Sequence, residues 1–135
     1  MAWAGRIWVP LMNPDMLSIS LTTREDGAMQ IFELSGSLDV ATSPTLRAGL
    51  LEAAEHEGHT LVVDLSNLEF LDSTGLGALI GAHKRALEKN GSLRVVAKEG
   101  QILRLLRITG LLGVLQVYPT LDAAVSESAA RLAGL

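Results

Sequence analysis

The amino-acid sequence predicts a single α/β domain built on a mainly parallel sheet, and three observations carry that prediction. Strand-like and helix-like segments alternate along most of the chain. TLVVDL, residues 60–65, is a continuous apolar run, the pattern of a strand covered on both faces. The chain has 135 residues, 48% hydrophobic and 19% charged, which is enough for one ordinary core and argues against disorder.

The elements follow in order. LSISLTTR (17–24) alternates apolar and polar residues, the mark of a half-buried strand. AMQIFELSG alternates again after EDG, so a hairpin turning at Asp26 and Gly27 is expected. Ser43 followed by Pro44 predicts a helix start, a hydroxyl cap and then proline at the first helical position. Leu46, Leu50, Ala53 and Ala54 fall on one face of that helix, which should stop near Gly58. TLVVDL then gives a strand, and FLDSTGLGALIG leads into a helix running to about Lys89. Asn90 and Gly91 break it, and SLRVVA is the next strand. QILRLLRIT places Ile102, Leu105 and Leu106 on one face and Arg104 and Arg107 outside, with Gly110 ending the helix. VLQVY is a short strand. Thr120 caps a last helix with Leu121, Ala124, Val125 and Leu132 facing inward. The expected order is β-β-α-β-α-β-α-β-α, about four helices on a parallel sheet with an N-terminal hairpin.

Residues 17–135 are assigned to the domain and residues 1–16 to an N-terminal extension. The extension is read as flexible, with an apolar arm docking through Trp3 and Trp8 as the alternative. It has no continuous apolar stretch and no small-residue exit, so it does not read as a secretory signal. No run approaches the ~20 apolar residues of a membrane span. The absence of cysteine excludes disulfides and thiolate chemistry. Between His83 and Arg107 lie seven basic residues (Lys84, Arg85, Lys89, Arg94, Lys98, Arg104, Arg107) against Glu88 and Glu99. They sit at helix-outer spacing almost without aromatics, which describes a solvated face rather than a nucleic-acid footprint.

The FLDSTGLGALIG stretch has features in common with several chemistries. Gly75, Gly77 and Gly81 form G-x-G-x-x-x-G, one position off a dinucleotide fingerprint. That fingerprint opens directly off a strand, whereas SNLEFLDST intervenes here. No Gly-Lys-Ser/Thr follows, so there is no P-loop. DSTG has one residue too many for an aspartic-protease loop and lies in a β-α context. A serine nucleophile needs a base, and no G-x-S-x-G elbow is present. His83 lies on the apolar face of its helix and reads as a core-edge histidine. His56 and His59 frame HEGH, which reads as a surface turn rather than a metal pair. No enzyme active site, metal or cofactor is therefore expected.

As a helix start the same stretch is more informative. Leu76, Leu79, Ile80, His83 and Leu87 gather on one face, and Thr74, Ala78, Gly81 and Arg85 on the other, flanked by Gly77 and Glu88. Each interior glycine costs about 1 kcal/mol relative to alanine. The glycines serve either close packing inside the protein or a flat strip that another protein's backbone can approach. Asp72 and Ser73 fall at the N-cap, which presents a serine hydroxyl at the positive end of the helix. Ser73 is either a plain cap or a modified residue. A phosphoryl group there adds about −1.5 to −2 charges, tolerated by the helix terminus and opposed by Asp72 and by any close-packed partner. The site suits control of docking better than chemistry.

The residues GSLDVATSPTL, LVVDLSNLEFLDSTGLGALIGAHKR and ILRLLRITGLLGVLQVYPTLDAAV carry a family resemblance, extending from about residue 17 to 126. The chain resembles the bacterial anti-sigma factor antagonists, the phospho-switched members of the STAS domain family. The resemblance implies a cytoplasmic binding protein that is not an enzyme. Its unphosphorylated form would bind an anti-sigma factor serine kinase and free the sigma factor. The kinase would phosphorylate Ser73 to end binding, and a PP2C-type phosphatase would restore it. Asp72 would orient the serine or help the kinase accept its hydroxyl, and Asp39 corresponds to a second surface position beside it. The implied partner surface comprises Asp39, Asp72, Ser73, Thr74, Gly75, Gly77, Ala78, Gly81 and Arg85. Direct nucleic-acid and membrane contacts are not implied, and weak self-association is compatible with it. Ser37 stands where many relatives carry glutamate. The alternative within the family is a constitutive STAS subunit of a transporter or stressosome-type complex, without a phospho-switch.

Overall fold

The computed structural model describes residues 6–9 and 17–126. Trp3 and Leu132 lie outside the described residues. Among the described residues six strands form one sheet: β1 (Arg6–Val9), β2 (Leu17–Arg24), β3 (Met29–Leu38), β4 (Thr60–Leu71), β5 (Ser92–Val96) and β6 (Gln116–Tyr118). Their order across the sheet is their order in the chain. The β1–β2 and β2–β3 pairs are antiparallel, and β3–β4, β4–β5 and β5–β6 are parallel. Four α-helices fill the connections and the C-terminal end: α1 (Ser43–Ala54), α2 (Ser73–Glu88), α3 (Gln101–Ile108) and α4 (Leu121–Ser126).

Strand alternation divides the core between the two faces of the sheet. Leu61, Val63 and Leu65 of β4 join the larger cluster beneath α1, α2 and α3. Val62 joins Met29, Ile31, Val96 and Tyr118 on the other face, beneath Ala123 and Ala124 of α4. Leu61, Val62 and Val63 form an unbroken apolar run because both faces of β4 are covered there. Arg94, on β5, reaches α4 with a 2.7 Å hydrogen bond from its guanidinium to the Ala124 carbonyl. Among the described residues no helix is long and apolar enough to cross a membrane.

The hairpin turn lies at Glu25–Gly27, where Asp26 and Gly27 have φ of 56° and 94°. Thr120 caps α4, its Oγ1 accepting from the Ala123 amide at 3.1 Å. Three differences from the sequence expectation matter. Arg6–Val9 form an additional edge strand, too short to show periodicity. Ser43 is not the cap of α1 but its first helical residue and is buried. Thr42 precedes it and directs its hydroxyl backward to the Ser37 carbonyl at 2.8 Å.

The third difference concerns β4, which continues past Leu65 to Leu71. Its pairing steps from Glu33↔Asp64 to Ser35↔Asn67, and from Gly36↔Leu68 to Ser37↔Phe70, so β4 carries one extra residue at each irregularity. These are β-bulges. Each slips the alternation by one, so after Leu65 the inward residues are Leu68 and Leu71. A period of two is lost, and with it the sign that the strand continues.

The bulged register makes a prediction that straight alternation contradicts. Leu68→Ala should destabilise the protein by about 2–5 kcal/mol, as a core truncation does. Glu69→Ala, which straight alternation would place inside, should stay within about 0.5 kcal/mol of the parent. Urea unfolding of both variants checks this.

Candidate functional site

β3 and β4 end together at the Leu38↔Leu71 pair, and the chain leaves both strands at the same place. The Asp72 amide donates to the Leu38 carbonyl at 3.2 Å, so the loop after β3 and the start of α2 lie side by side. Asp39, half-buried, organises that loop. Its Oδ1 accepts from the amides of Ala41 and Thr42 at 3.0 and 3.1 Å.

Asp72 is the N-cap of α2. Its Oδ1 accepts from the Thr74 amide at 3.0 Å, the Gly75 amide at 3.1 Å and the Thr74 hydroxyl at 2.5 Å. The Thr74 hydroxyl, with the backbone amides of Gly75, Thr74 and Val40, holds the carboxyl below the usual aspartate range against the opposing effect of desolvation. The Asp72 carboxylate therefore joins the end of β4, the first turn of α2 and the loop after β3.

Ser73 is exposed at the first position of α2, and its hydroxyl has no hydrogen-bond partner among the described residues. Thr74 is also exposed, but its hydroxyl is given to Asp72. Of two adjacent hydroxyls, only that of Ser73 is free. Val40, in the loop after β3, and Phe70, next to last in β4, are large exposed apolar side chains, 72% and 50% accessible. The sequence reading missed both. Val40 lies in a polar loop, and Phe70 was read with the segment leading into α2 because the bulges hid the continuation of β4.

Other expected members of the surface lie elsewhere. Gly75 is buried, and a Cβ there would sit 2.6 Å from Leu71 Cδ1 and 2.9 Å from Leu38 Cγ. Its lack of a side chain lets α2 approach the strand ends. Ala78 is only 2% exposed and forms part of the buried side, not the outer one. α1 packs alongside α2, so the covered sector extends beyond the sheet-facing stripe to include Ala78, Ala82 and Ala86. Leu87, expected inside, is 53% exposed. Gly77 is exposed and Gly81 half-buried, and a Cβ at either would meet nothing within 4 Å.

Arg85 is a strap between helices rather than open surface. Its Nε and Nη2 donate to the Glu55 carboxylate at 2.6 and 2.8 Å, and its Nη1 to Glu88 at 2.8 Å. It lies twelve residues from Ser73, about 18 Å along the helix axis.

The histidines do not assemble with the serine. His83 is buried, its Nδ1 lacks a partner among the described residues, and burial lowers its pKa. It is ten residues from Ser73 on the same helix, about 15 Å along the axis. His56 and His59 stack with ring centroids 5.0 Å apart. His59 Nδ1 accepts from Gln30 Nε2 at 3.1 Å, a contact that ties the α1–β4 connection to β3. The glycine argument needs one correction: α2 opens directly off β4, with no intervening loop. Gly75, Gly77 and Gly81 lie within α2 instead of in the turn before it, so they form no phosphate cradle.

Known proteins resemble this chain in sequence and in fold. The STAS domain family model matches residues 20–124. The chain is 31% identical over 101 residues, 75% of its own length and 88% of the relative's, to the anti-sigma-B factor antagonist of Listeria monocytogenes. It is 30% identical over 112 residues, 82% and 96% of the two lengths, to the anti-sigma F factor antagonist of Paenibacillus polymyxa. The crystal structure of an anti-sigma factor antagonist from Mycobacterium paratuberculosis matches with a TM-score of 0.75 at 30% identity, covering 87% of this chain and 97% of that one.

Two predictions test the construction of the site. Asp72→Ala should lower the thermal midpoint, whereas Asp72→Asn, which can accept the same amide hydrogen bonds, should nearly preserve it. The folded-state pKa of Asp72 is depressed below 3.8, so its contribution is fully present above that value and is lost as pH falls through the folded pKa. The midpoint of the parent should therefore fall more steeply than that of Asp72→Asn below about pH 4. The glycines should separate likewise. Gly75→Ala should destabilise by overpacking, by about 1–2 kcal/mol after its helix-propensity gain. Gly77→Ala, with open space around it, should stabilise by up to about 1 kcal/mol.

Proposed function

The chain belongs to the STAS domain family, alongside the anti-sigma factor antagonists, and on that premise we propose that it acts as an anti-sigma factor antagonist whose docking is switched at Ser73. The observation that carries this reading is the free, exposed Ser73 hydroxyl at the first turn of α2, beside a threonine whose hydroxyl is already committed.

In the unphosphorylated state the Ser73 region docks on an anti-sigma factor with serine-kinase activity, and the sigma factor is released. Gly77 and Gly81 extend the contact along α2 because they leave the helix backbone open to approach. Val40 and Phe70 supply apolar surface next to the serine, and Asp39 shapes the loop that presents Val40. Ala78 and Gly75 support this surface from below. Arg85 holds α1 against α2.

The kinase ends the interaction. The Ser73 oxygen forms a bond to the γ-phosphorus of ATP, the bond to ADP breaks, and the hydroxyl proton passes to a base of the kinase. Asp72 is committed to Thr74, Gly75 and Val40, so it positions the serine through the helix start instead of bonding to it. The product adds about −1.5 to −2 charges to the docking face. The Thr74 and Gly75 amides, which could otherwise receive the phosphate, are occupied by Asp72, and the carboxylate adds repulsion. The new charge therefore faces the partner. A PP2C-type phosphatase resets the site. The protein is the substrate and regulator in this cycle, acting in the cytoplasm where ATP and the transcription machinery meet.

Incubation with ATP and the cognate anti-sigma kinase, read by intact mass, should show a gain of one phosphate. Ser73→Ala should abolish it and Thr74→Ala should not. Ser73→Asp should weaken kinase binding by about tenfold or more, and Gly77→Ala should weaken docking even as it stabilises the fold. Tight partner binding unaffected by Ser73→Asp would instead identify a constitutive STAS subunit.

A further inference from the structure

Every strand has two hydrogen-bonding edges, and those of β4 are covered unequally. β3 accompanies β4 from Thr60 to Leu71, whereas β5 pairs with it only from Thr60 to Asp64. Beyond Val96 the chain leaves the sheet, and Gly100, at a φ of 147°, turns it into α3. Leu65–Leu71 is therefore a strand edge about 20 Å long with no neighbouring strand on the β5 side. Apart from its ladder with β3 and the Ser66 amide, which donates to Asp64 Oδ1 at 2.9 Å, this stretch makes no backbone hydrogen bond among the described residues.

What lies beside that edge is space. A groove of about 310 Å³ runs between β4 and the segment that leads from β5 into α3. Leu65, Leu68 and Ile102 supply its apolar lining, and Glu69, Lys98 and Glu99 stand exposed at its mouth. None of these three charges forms an ion pair among the described residues. The mouth therefore presents two free carboxylates against one ammonium group.

We infer that the groove takes an extended segment of a partner protein, which joins the sheet beside β4 and pairs its backbone with the uncovered edge. An unpaired edge is complementary to any strand, so specificity falls to the side chains. Those of the segment alternate between its two faces. The inward ones are apolar and pack on Leu68 and Ile102. The outward ones are lysine or arginine, matched to the net negative mouth. A second copy of this chain is a poor occupant, because its own free edge would bring another Glu69 against the same carboxylates. The whole chain, moreover, already carries a net charge of −4. The site stands whether or not Ser73 is a switch.

The test is an NMR titration of the full chain with an acetylated and amidated heptapeptide, valine at its even positions and lysine at its odd ones. Binding should be saturable, and backbone amides within Leu65–Leu71 that exchange rapidly in the free protein should become protected. The same peptide N-methylated throughout lacks the backbone N–H donors and should not bind measurably. Replacing its lysines by glutamate should weaken binding about fivefold or more, and the double variant Glu69→Lys, Glu99→Lys should reverse that preference. No saturable binding of the lysine peptide, equal binding of the N-methylated one, protection confined to other strands, or an unreversed charge preference would each overturn the inference. So would sedimentation showing a dimer in which these amides are already protected, since the edge would then belong to a second copy.

Discussion

The arrangement around Ser73 depends on one carboxylate. Asp72 receives the first free amides of α2, the Thr74 hydroxyl and the amide of Val40, while its own amide is held by Leu38. A helix start leaves several amides unpaired, and at this one a side chain meets that need while also tying down a neighbouring loop. Ser73 is consequently presented from a rigid junction of two strands and a helix, with its backbone fixed and its hydroxyl unoccupied. A flexible loop could expose a serine equally well. It would not hold Val40 and Phe70 in a set relation to it, and a partner that reads all three would lose affinity to the entropy of ordering them.

The glycines of α2 show how one residue type serves opposite ends on two sides of a helix. At Gly75 the neighbours are Leu38 and Leu71, and a methyl group would overlap them. Here glycine is a packing residue, and its lower helix propensity is offset by the close approach of α2 to the strand ends. At Gly77 and Gly81 there is room for a side chain that the sequence does not supply. The described residues offer no internal reason for that omission, which lends weight to an external one. The Arg85–Glu55 and Arg85–Glu88 contacts lie at the far end of the helix. As half-exposed ion pairs they add little stability, but the Arg85–Glu55 pair ties the C-terminal end of α1 to α2.

Much of the fold was legible because hydrophobic period and turn chemistry agreed. The hairpin at Asp26 and Gly27, the buried run of β4 and the Thr120 cap all rest on local signals that tertiary packing left unchanged. The family resemblance was legible for the same reason, since it resides in three local segments, the one around Asp72 among them. The failures were tertiary. The two bulges in β4 hid its last six residues, because the inward positions Leu65, Leu68 and Leu71 no longer alternate. The burial of Ala78 was hidden because a helical wheel sees only one covered face, whereas α2 is covered by both the sheet and α1. Arg85 looked free because its partner Glu55 is thirty residues away. Val40 was invisible for the opposite reason: an exposed valine in a polar loop has no periodic signature.

These failures bear on how the proposed switch could act. Had Thr74, Ala78, Gly81 and Arg85 formed a broad open face, one phosphate at its edge would perturb a small share of the contact. With Ala78 covered and Arg85 engaged, the accessible surface contracts toward the first turn of α2, and Ser73 moves from its rim toward its centre. Charge at the centre of a docking surface must be desolvated when the partner closes over it, whereas charge at a rim keeps its water. The amides that might have neutralised it are held by Asp72. A narrower surface thus makes a single phosphoryl group a more decisive block, with no rearrangement of the fold required.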